Sequence, residues 1–449
     1  MGMKRILLSF ILFAVAATAS KAQTLSLQDC VDMALGDNVS IKNSRLDIMS
    51  AKMQKRETLA NFFPTVSASA FGFHSLNPLF SIGLDDLLGS SDAANNLKYY
   101  LGTEAEMSGI STTYETLQHC YTAGLTLSQP IFAGGRIVNG NRLAALGEKS
   151  AAVQDKIARR DITHEVQSKY WQVVSLEEKM EALEHALALA DTLAKDAQSA
   201  LEAGLATDDA ADLVNIKRQE ILSRRIRLKG GIMLTKMDLC EAMGLESSRA
   251  ISLKLSDRMP QIDEPSRYWQ DPAEIVERMD ESSLLDLAVK QKEIEKNMAL
   301  GEALPQIGLG ASYGYGKVFT SARLNGAVYA TVKIPLSDWG KTSSKMRRVE
   351  YQREKAENDR EHLSAMLELK VRKLWVEVES TWEELRLKEE STAYAQKSLM
   401  RCKANLSAGL ATEGDVMEKQ VALLGAQCDE IDAAIAYRNA LSEYLCLKD

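Results

Sequence analysis

The chain has 449 residues, with 62 Asp and Glu against 54 Lys and Arg and a formal net charge of −8, a balance that makes it a poor ligand for nucleic acid. Its six cysteines (Cys30, Cys120, Cys240, Cys402, Cys428 and Cys446) lie far apart with no CxxC pair. That pattern argues against a zinc site and for buried thiols used as small hydrophobes, although an exported chain leaves disulfides open to them.

Residues 1–22 read as a cleaved secretory signal. Lys4 and Arg5 precede an apolar run from Ile6 to Ala19, and Ser20-Lys21-Ala22 is a small-x-small cleavage site. The run is too short to span a bilayer, and no later run of about 18 apolar residues predicts an inner-membrane helix. Cys30 lies well past the apolar run and does not read as a lipid-attachment cysteine.

Few aromatics (6%) and eight prolines, among many Ala, Leu, Glu, Lys and Gln, are the composition of long helices. Residues 27–61 read as a helix that Pro64 stops, followed by a short Ser/Ala/Phe-rich strand over 65–74. Residues 75–119 are polar, with scattered Gly, Ser and Asn, and read as a long loop. Residues 120–129 alternate, with Tyr121, Ala123, Leu125 and Leu127 on one face and Thr122, Gly124, Thr126 and Ser128 on the other. After Pro130 and the Gly134-Gly135 pair, residues 137–203 contain no proline, and as one helix they would reach roughly 100 Å. Their second half carries a seam in steps of three and four through Val173, Leu176, Met180, Leu183, Leu187, Ala190, Ala194, Ala197 and Leu201, which is coiled-coil spacing.

Gly204 then suits a helix C-terminus, and Thr207 an N-cap with Asp208 and Asp209 in the first turn of a return helix to about Leu245. Residues 246–271, with Pro260 and Pro265, are the least regular stretch.

The second half of the chain repeats the first. Ala203-Gly204-Leu205-Ala206-Thr207 recurs unchanged as Ala408-Gly409-Leu410-Ala411-Thr412, a shift of 205 positions (203 to 408). The same shift carries Pro130-Ile131-Phe132-Ala133-Gly134-Gly135-Arg136 onto Pro335-Leu336-Ser337-Asp338-Trp339-Gly340-Lys341. The second copy predicts a helix over 272–303, strands over 306–316 and 326–334, a helix over 342–408 and a return helix to Leu445. The chain therefore divides into a signal (1–22), a first repeat (23–245), a linker (246–271) and a second repeat (272–449). A duplicated frame argues for a device with internal pseudo-symmetry rather than one catalytic pocket.

Four strands with Gly and Ser on one face and apolar or aromatic residues on the other have nothing nearby to cover the apolar face or pair the edges. An outer-membrane barrel answers both needs, since lipid covers the face and closure removes the edges. Such barrels need about eight strands or more, so several chains must contribute: a dimer supplies eight, a trimer twelve.

With these repeats, the Pro-Ile-Phe-Ala-Gly-Gly step at 130–135, its partner at 335–341 and the Ala-Gly-Leu-Ala-Thr tips, the whole expected mature chain resembles the TolC-like outer-membrane factor family. The resemblance implies a mostly α fold with a β-barrel: a homotrimer with a twelve-strand barrel in outer-membrane lipid, four strands per chain, continued by a long helical tunnel in the periplasm. It implies a passive exit duct of a tripartite efflux or type I secretion system, with a periplasmic adaptor (membrane fusion protein) and an inner-membrane RND or ABC transporter as partners. The tip motif that meets the adaptor in that family corresponds to Ala203–Thr207 and Ala408–Thr412, with Ala in place of the usual Val. The arginine often found inside the second tip is Ala411 here, so a closing latch would use other residues.

Asp415 and Glu418, three apart after the second tip, match carboxylates that line the aperture in the family, and in a trimer each would form a ring of three. Asp415 is equally placed to be the capping-box acid of Thr412-x-x-Asp415. Asp209 and Asp212 would form further rings, or simply complement a helix dipole. The joins at Pro130, Gly134, Gly135, Pro335, Trp339 and Gly340 are read as strand-to-helix turns, with Trp339 either at the membrane interface or packed inside the barrel neck.

Gly340-Lys341-Thr342 lacks the earlier glycine of a phosphate loop, where Pro335 stands, and Gly308-Leu309-Gly310-Ala311-Ser312-Tyr313 lacks the third glycine of a dinucleotide loop. The five histidines make no metal spacing and no GxSxG is present. The reading is therefore of no enzyme, no catalytic residue, no metal and no cofactor. A soluble periplasmic coiled-coil adaptor or scaffold is the alternative; it accounts for the hairpins but not for the glycine-faced strands.

Overall fold

The computed structural model describes residues 24–77, 80–108, 113–116, 119–204, 207–248, 251–253, 263–317, 322–337 and 339–448. The expected signal, Leu205 and Ala206 of the first tip, and Asp338 lie outside the described residues. In chain order the elements are β1 (Thr24–Leu25), α1 (Leu27–Asp37), α2 (Val39–Ala60), β2 (Thr65–His74), β3 (Phe80–Gly83), α3 (Leu84–Leu88), α4 (Asp92–Met107), β4 (Thr113–Thr116), β5 (His119–Ala133), α5 (Arg136–Glu202), α6 (Asp208–Ala242), β6 (Ser252–Leu253), α7 (Pro272–Arg278), α8 (Asp280–Glu302), β7 (Gln306–Lys317), β8 (Arg323–Lys333), α9 (Lys341–Ser407) and α10 (Glu413–Cys446). The four long predicted helices and the four principal strands stand within a few residues of their expected bounds.

The chain forms two compact units, and both draw on both repeats. One unit, 51–148 with 289–356, holds the main sheet. Its strands lie in the order β2-β5-β7-β8, every neighbour antiparallel. Opposed residues share a face, so the register sorts the side chains cleanly. One face carries rows such as Val66, Leu127, Ala311 and Val328, and the next but one Ala70, Ala123, Tyr315 and Leu324. The other face carries Ser67, Thr126, Ser312 and Ala327, then Ser69, Gly124, Gly314 and Asn325.

The glycines reveal a bend. A Cβ on Gly124 would come within 2.8 Å of the Gly314 Cα, and one on Gly314 within 2.7 Å of the Ala123 carbonyl oxygen. On the apolar face a Cβ at Gly72 would meet nothing closer than 3.7 Å. The sheet thus curls toward its small, polar face, most tightly at Gly124 and Gly314, where no side chain would fit. Pro130 lacks an N–H for the ladder, and β5 passes it through a register shift between Pro130 and Phe132.

Within the predicted loop over 75–119, the described residues form strands and helices instead. β3 and β4 form a second antiparallel pair, from Phe80 opposite Thr116 to Gly83 opposite Thr113, and α3 and α4 lie between them. The scattered polar residues of Asp92–Met107 masked α4, whose Leu97 and Leu101 sit at helical spacing.

The other unit holds residues up to Ser50, 149–288 and 357–449. The predicted first helix is two helices here. Asn38 leaves helical geometry (ψ 137°), its side chain donates to the Ala242 carbonyl oxygen at 2.8 Å, and the Gly244 backbone presses against Asp37 so closely that a Cβ would stand 2.5 Å from its carbonyl oxygen. The second repeat breaks likewise at Met279 (ψ 139°), between α7 and α8.

The two breaks fold their short helices onto two pseudo-equivalent cores. Val31 and Ala34 of α1 pack with Val166, Tyr170 and Leu239 of α5 and α6. Ile275 and Val276 of α7 pack with Val371, Leu374, Tyr437 and Tyr444 of α9 and α10. β1 pairs in parallel with β6, while Tyr437 Oη donates to the Asp263 carbonyl oxygen at 2.8 Å and Tyr444 Oη accepts from the Gln270 N–H at 3.1 Å, so both sides of the irregular segment are held. A third core takes Leu183, Ala190 and Ala197 of the α5 seam with Val214, Ile221, Leu399, Val416 and Leu424; Cys402 packs against it, the hydrophobic use expected of that thiol. Cys30 and Cys240 are buried in the first core, and burial pushes the Cys30 thiol up to about 12.

Candidate functional site: the hairpin tips and the strand-to-helix joins

Each long helix ends at a left-handed glycine, Gly204 and Gly409, both at φ +73°. At the second tip the Leu410 N–H reaches the Asn405 carbonyl oxygen (2.8 Å) and the Gly409 N–H that of Leu406 (2.9 Å). This pair of bonds is a Schellman motif, which satisfies carbonyls the helix end would otherwise leave open. At the first tip the Gly204 N–H makes the corresponding bond to Leu201 (2.9 Å). Ala203, Gly204, Thr207, Ala408, Gly409, Leu410 and Thr412 are exposed and Ala411 is half-buried, so the turns present themselves to solvent.

The return helices start differently. Thr412 caps α10 in a reciprocal box: its hydroxyl accepts from the Asp415 N–H (3.2 Å), and Asp415 Oδ2 accepts from the Thr412 N–H and hydroxyl (2.8 Å each). Those two bonds hold the Asp415 carboxyl below its ordinary value. Thr207 makes no side-chain cap bond, and Ala210, three residues on, has no carboxylate to return one. Asp415 and Glu418 are both exposed, whereas Val416, Met417 and Gln420 turn into the core, so the two carboxylates share the outer side of α10. Glu418 lies 3.2 Å from the Lys419 ammonium. Asp209 and Asp212 are likewise exposed beside buried Ala211 and Val214. α6 and α10 touch at their starts, where a Cβ on Gly414 would meet Leu213 Cδ2 at 3.1 Å.

At the joins, Gly134 and Gly135 (φ +64° and +74°) are matched 205 positions on by Trp339 and Gly340 (φ +52° and +81°). Trp339 is the one non-glycine with positive φ among the described residues and is 98% exposed. Gly134 has no freedom to be anything else, since a Cβ would stand 1.9 Å from the Gly301 carbonyl oxygen. Leu336, next to Pro335, is 92% exposed.

Sequence reasoning missed one polar cluster, where the α2 and α8 starts meet α5. Arg160 forks onto Glu281, Nη2 to Oε1 at 2.6 Å and Nη1 to Oε2 at 3.1 Å, with Lys156 3.9 Å from Asp280. Burial alone would push Glu281 up, but the Arg160 fork outweighs it and holds the carboxyl low. Asp155 accepts from Ser44 and from Arg159 Nε (2.6 Å), and these bonds outweigh its burial too. The partners Ser44 and Asp155, and Arg160 and Glu281, are over 100 residues apart, which no spacing pattern records.

Among the described residues no group of His, Cys, Asp and Glu is arranged to hold a metal ion, and no helix is long and apolar enough to cross a membrane.

The family model described as outer membrane efflux protein matches residues 30–223 and 283–443. No curated protein matches the chain. Among solved structures, the fold superposes on a membrane protein from Pseudomonas aeruginosa (TM-score 0.73, 18% identity, 94% of this chain and 89% of that one). It also superposes on the outer membrane protein VceC from Vibrio cholerae (0.71, 16%, 94% and 96%). A third match is the open state of the MtrE outer membrane channel of Neisseria gonorrhoeae (0.72, 16%, 94% and 88%). At such identities these likenesses speak for the fold.

Proposed function

The chain belongs to the outer membrane efflux protein family, and from that premise we propose that it is the passive exit duct of a tripartite efflux or type I secretion system. The single observation that carries this reading is the main sheet. β8 is exposed along its whole length, β2 along nearly all of it, and each is an unpaired edge. An isolated sheet with Val328 84% and Val332 62% exposed on its apolar face is a poor solution in water. Closing three copies edge to edge gives a twelve-strand barrel with no free edge, its apolar face to lipid and its Gly/Ser face around an aqueous lumen. A soluble periplasmic scaffold leaves this sheet without a purpose.

In this reading a signal over residues 1–22 delivers the chain to the outer membrane. The tips Ala203–Thr207 and Ala408–Thr412 dock a periplasmic adaptor, which couples the duct to an inner-membrane RND or ABC transporter. Asp415 and Glu418, and further along Asp209 and Asp212, ring the aperture and favour cations. For Asp415 this is a second role beside its cap, since one carboxylate oxygen is engaged by Thr412 and the exposed group keeps its charge.

Recording from the purified protein in planar bilayers tests the reading. Small cation-selective currents are expected, blocked by a trivalent cation on the tip side, with the block relieved in Asp415→Asn with Glu418→Gln. Currents without block would retain the duct and remove the ring. A folded monomer that never inserts would remove the duct itself.

A further inference from the structure

We infer that Phe71 and Tyr329 set the free cross-section of the strand-lined lumen, making them size-selecting residues of the duct; the inference rests on the channel reading above. The register puts both on the concave face, which carries one further ring, Phe73, in the next row of β2 beyond the four-stranded part. Phe71 stands in the row of Thr122, Gly316 and Arg323, toward the 75–119 connection. Tyr329 stands in the row of Thr65, Ser128 and Gly310, toward the helix-bearing end. Between the two rows lies a hollow of about 570 Å³ floored by Gly124 and Gly314.

Alternation would send both rings to the apolar face if lipid contact were their use. Phe71 instead breaks the Thr65-Ser67-Ser69 pattern of its own strand and is 61% exposed. Its ring is braced by Phe73, centroids 6.1 Å apart. The Tyr329 ring lies across Gly310, where an added Cβ would be 2.3 Å from Cζ, so this glycine makes room for it against the wall. A sheet that curls toward this face brings its side chains together, so the exposed Phe71 ring removes more width there than it would on a flat wall, while the Tyr329 ring, laid over Gly310, thickens the wall at its own row. In a threefold assembly the two rows become two aromatic collars. The solutes they discriminate against are bulky ones, with flat apolar molecules passing most easily along the rings.

The test uses neighbouring cysteines on opposite faces. Thr331→Cys lies on the concave face beyond both collars, and Val332→Cys on the apolar face. Intact cells are treated from outside with membrane-impermeant thiol reagents, one small and one bulky, and the labelled peptide is quantified by mass spectrometry. Expected is labelling of Thr331→Cys by the small reagent at a rate unchanged by Phe71→Leu and Tyr329→Leu, which also reports an intact fold. The bulky reagent should react slowly in the parent and roughly tenfold faster in the double variant. Equal bulky-reagent rates in parent and double variant would overturn the collars while leaving the duct standing. Labelling of Val332→Cys in place of Thr331→Cys would overturn the facing of the sheet, and the duct reading with it.

Discussion

The two strand-to-helix joins are the same turn built under different constraints. Gly134 and Trp339 both adopt a left-handed backbone, yet the first is clamped against Gly301 and the second stands in open space. Left-handed geometry costs a side chain roughly 1–2 kcal/mol, so the first join keeps glycine from steric necessity while the second carries a strained tryptophan. The tips repeat the lesson. Identical pentapeptides lead into a reciprocally capped helix at Thr412 and an uncapped one at Thr207, where Ala210 stands in place of the Asp415 carboxylate. Duplication preserved the backbone path; single side chains then gave each copy its own mechanical character.

The largest effect is expected from the clamped join. Gly134→Ala should cost about 3 kcal/mol or more, from overpacking added to left-handed strain, whereas Gly340→Ala should cost only about 1. Denaturant midpoints of the two variants check this, and equal losses would break the contrast. Next comes the pair that the helical unit gained by bringing distant residues together. Glu281→Ala leaves the half-buried Arg160 without its fork and should cost about 1–3 kcal/mol. Because the folded Glu281 pKa is lowered, the stability it contributes is complete above the ordinary value of 4.5 and is lost as pH falls through the lower folded value. A pH titration of unfolding should lose that acid-side slope in the variant.

A smaller effect separates the tips. Asp415→Ala should cost about 1 kcal/mol and Ala210→Asp should return a similar gain at the other tip. Amide hydrogen exchange over the first turns of α6 and α10 reads both, and insensitivity of either turn would show that core packing rather than the cap secures it. Smallest in net terms, Trp339→Gly should relieve about 1 kcal/mol of backbone strain in detergent, as the ring packs on nothing described. If the ring anchors the chain at the membrane interface, that gain should vanish in lipid bilayers.

Much of this molecule was legible residue by residue. Gly204 and Gly409 announced the turns, the period-two runs at 120–129 and 306–316 announced β5 and β7, and Thr412-x-x-Asp415 announced its own cap. The connection at 75–119 was illegible because its short elements lack a sustained period. The breaks at Asn38 and Met279 were illegible for a different reason, since nothing in 27–61 or 272–303 forbids a continuous helix. Asn38 leaves the helix where the Ala242 carbonyl and the Gly244 backbone, about 200 residues on, meet it.

The sequence by itself determined the duplicated order of elements, their lengths and the chemistry of the tips, all of which rest on interactions within a few residues along the chain. The tertiary structure alone decided which way the sheet curls, that Phe71 and Tyr329 share its concave face, and that Arg160 finds Glu281. Those depend on register and on contacts between segments far apart in the chain, and local periodicity carries no record of which distant segment a residue will meet.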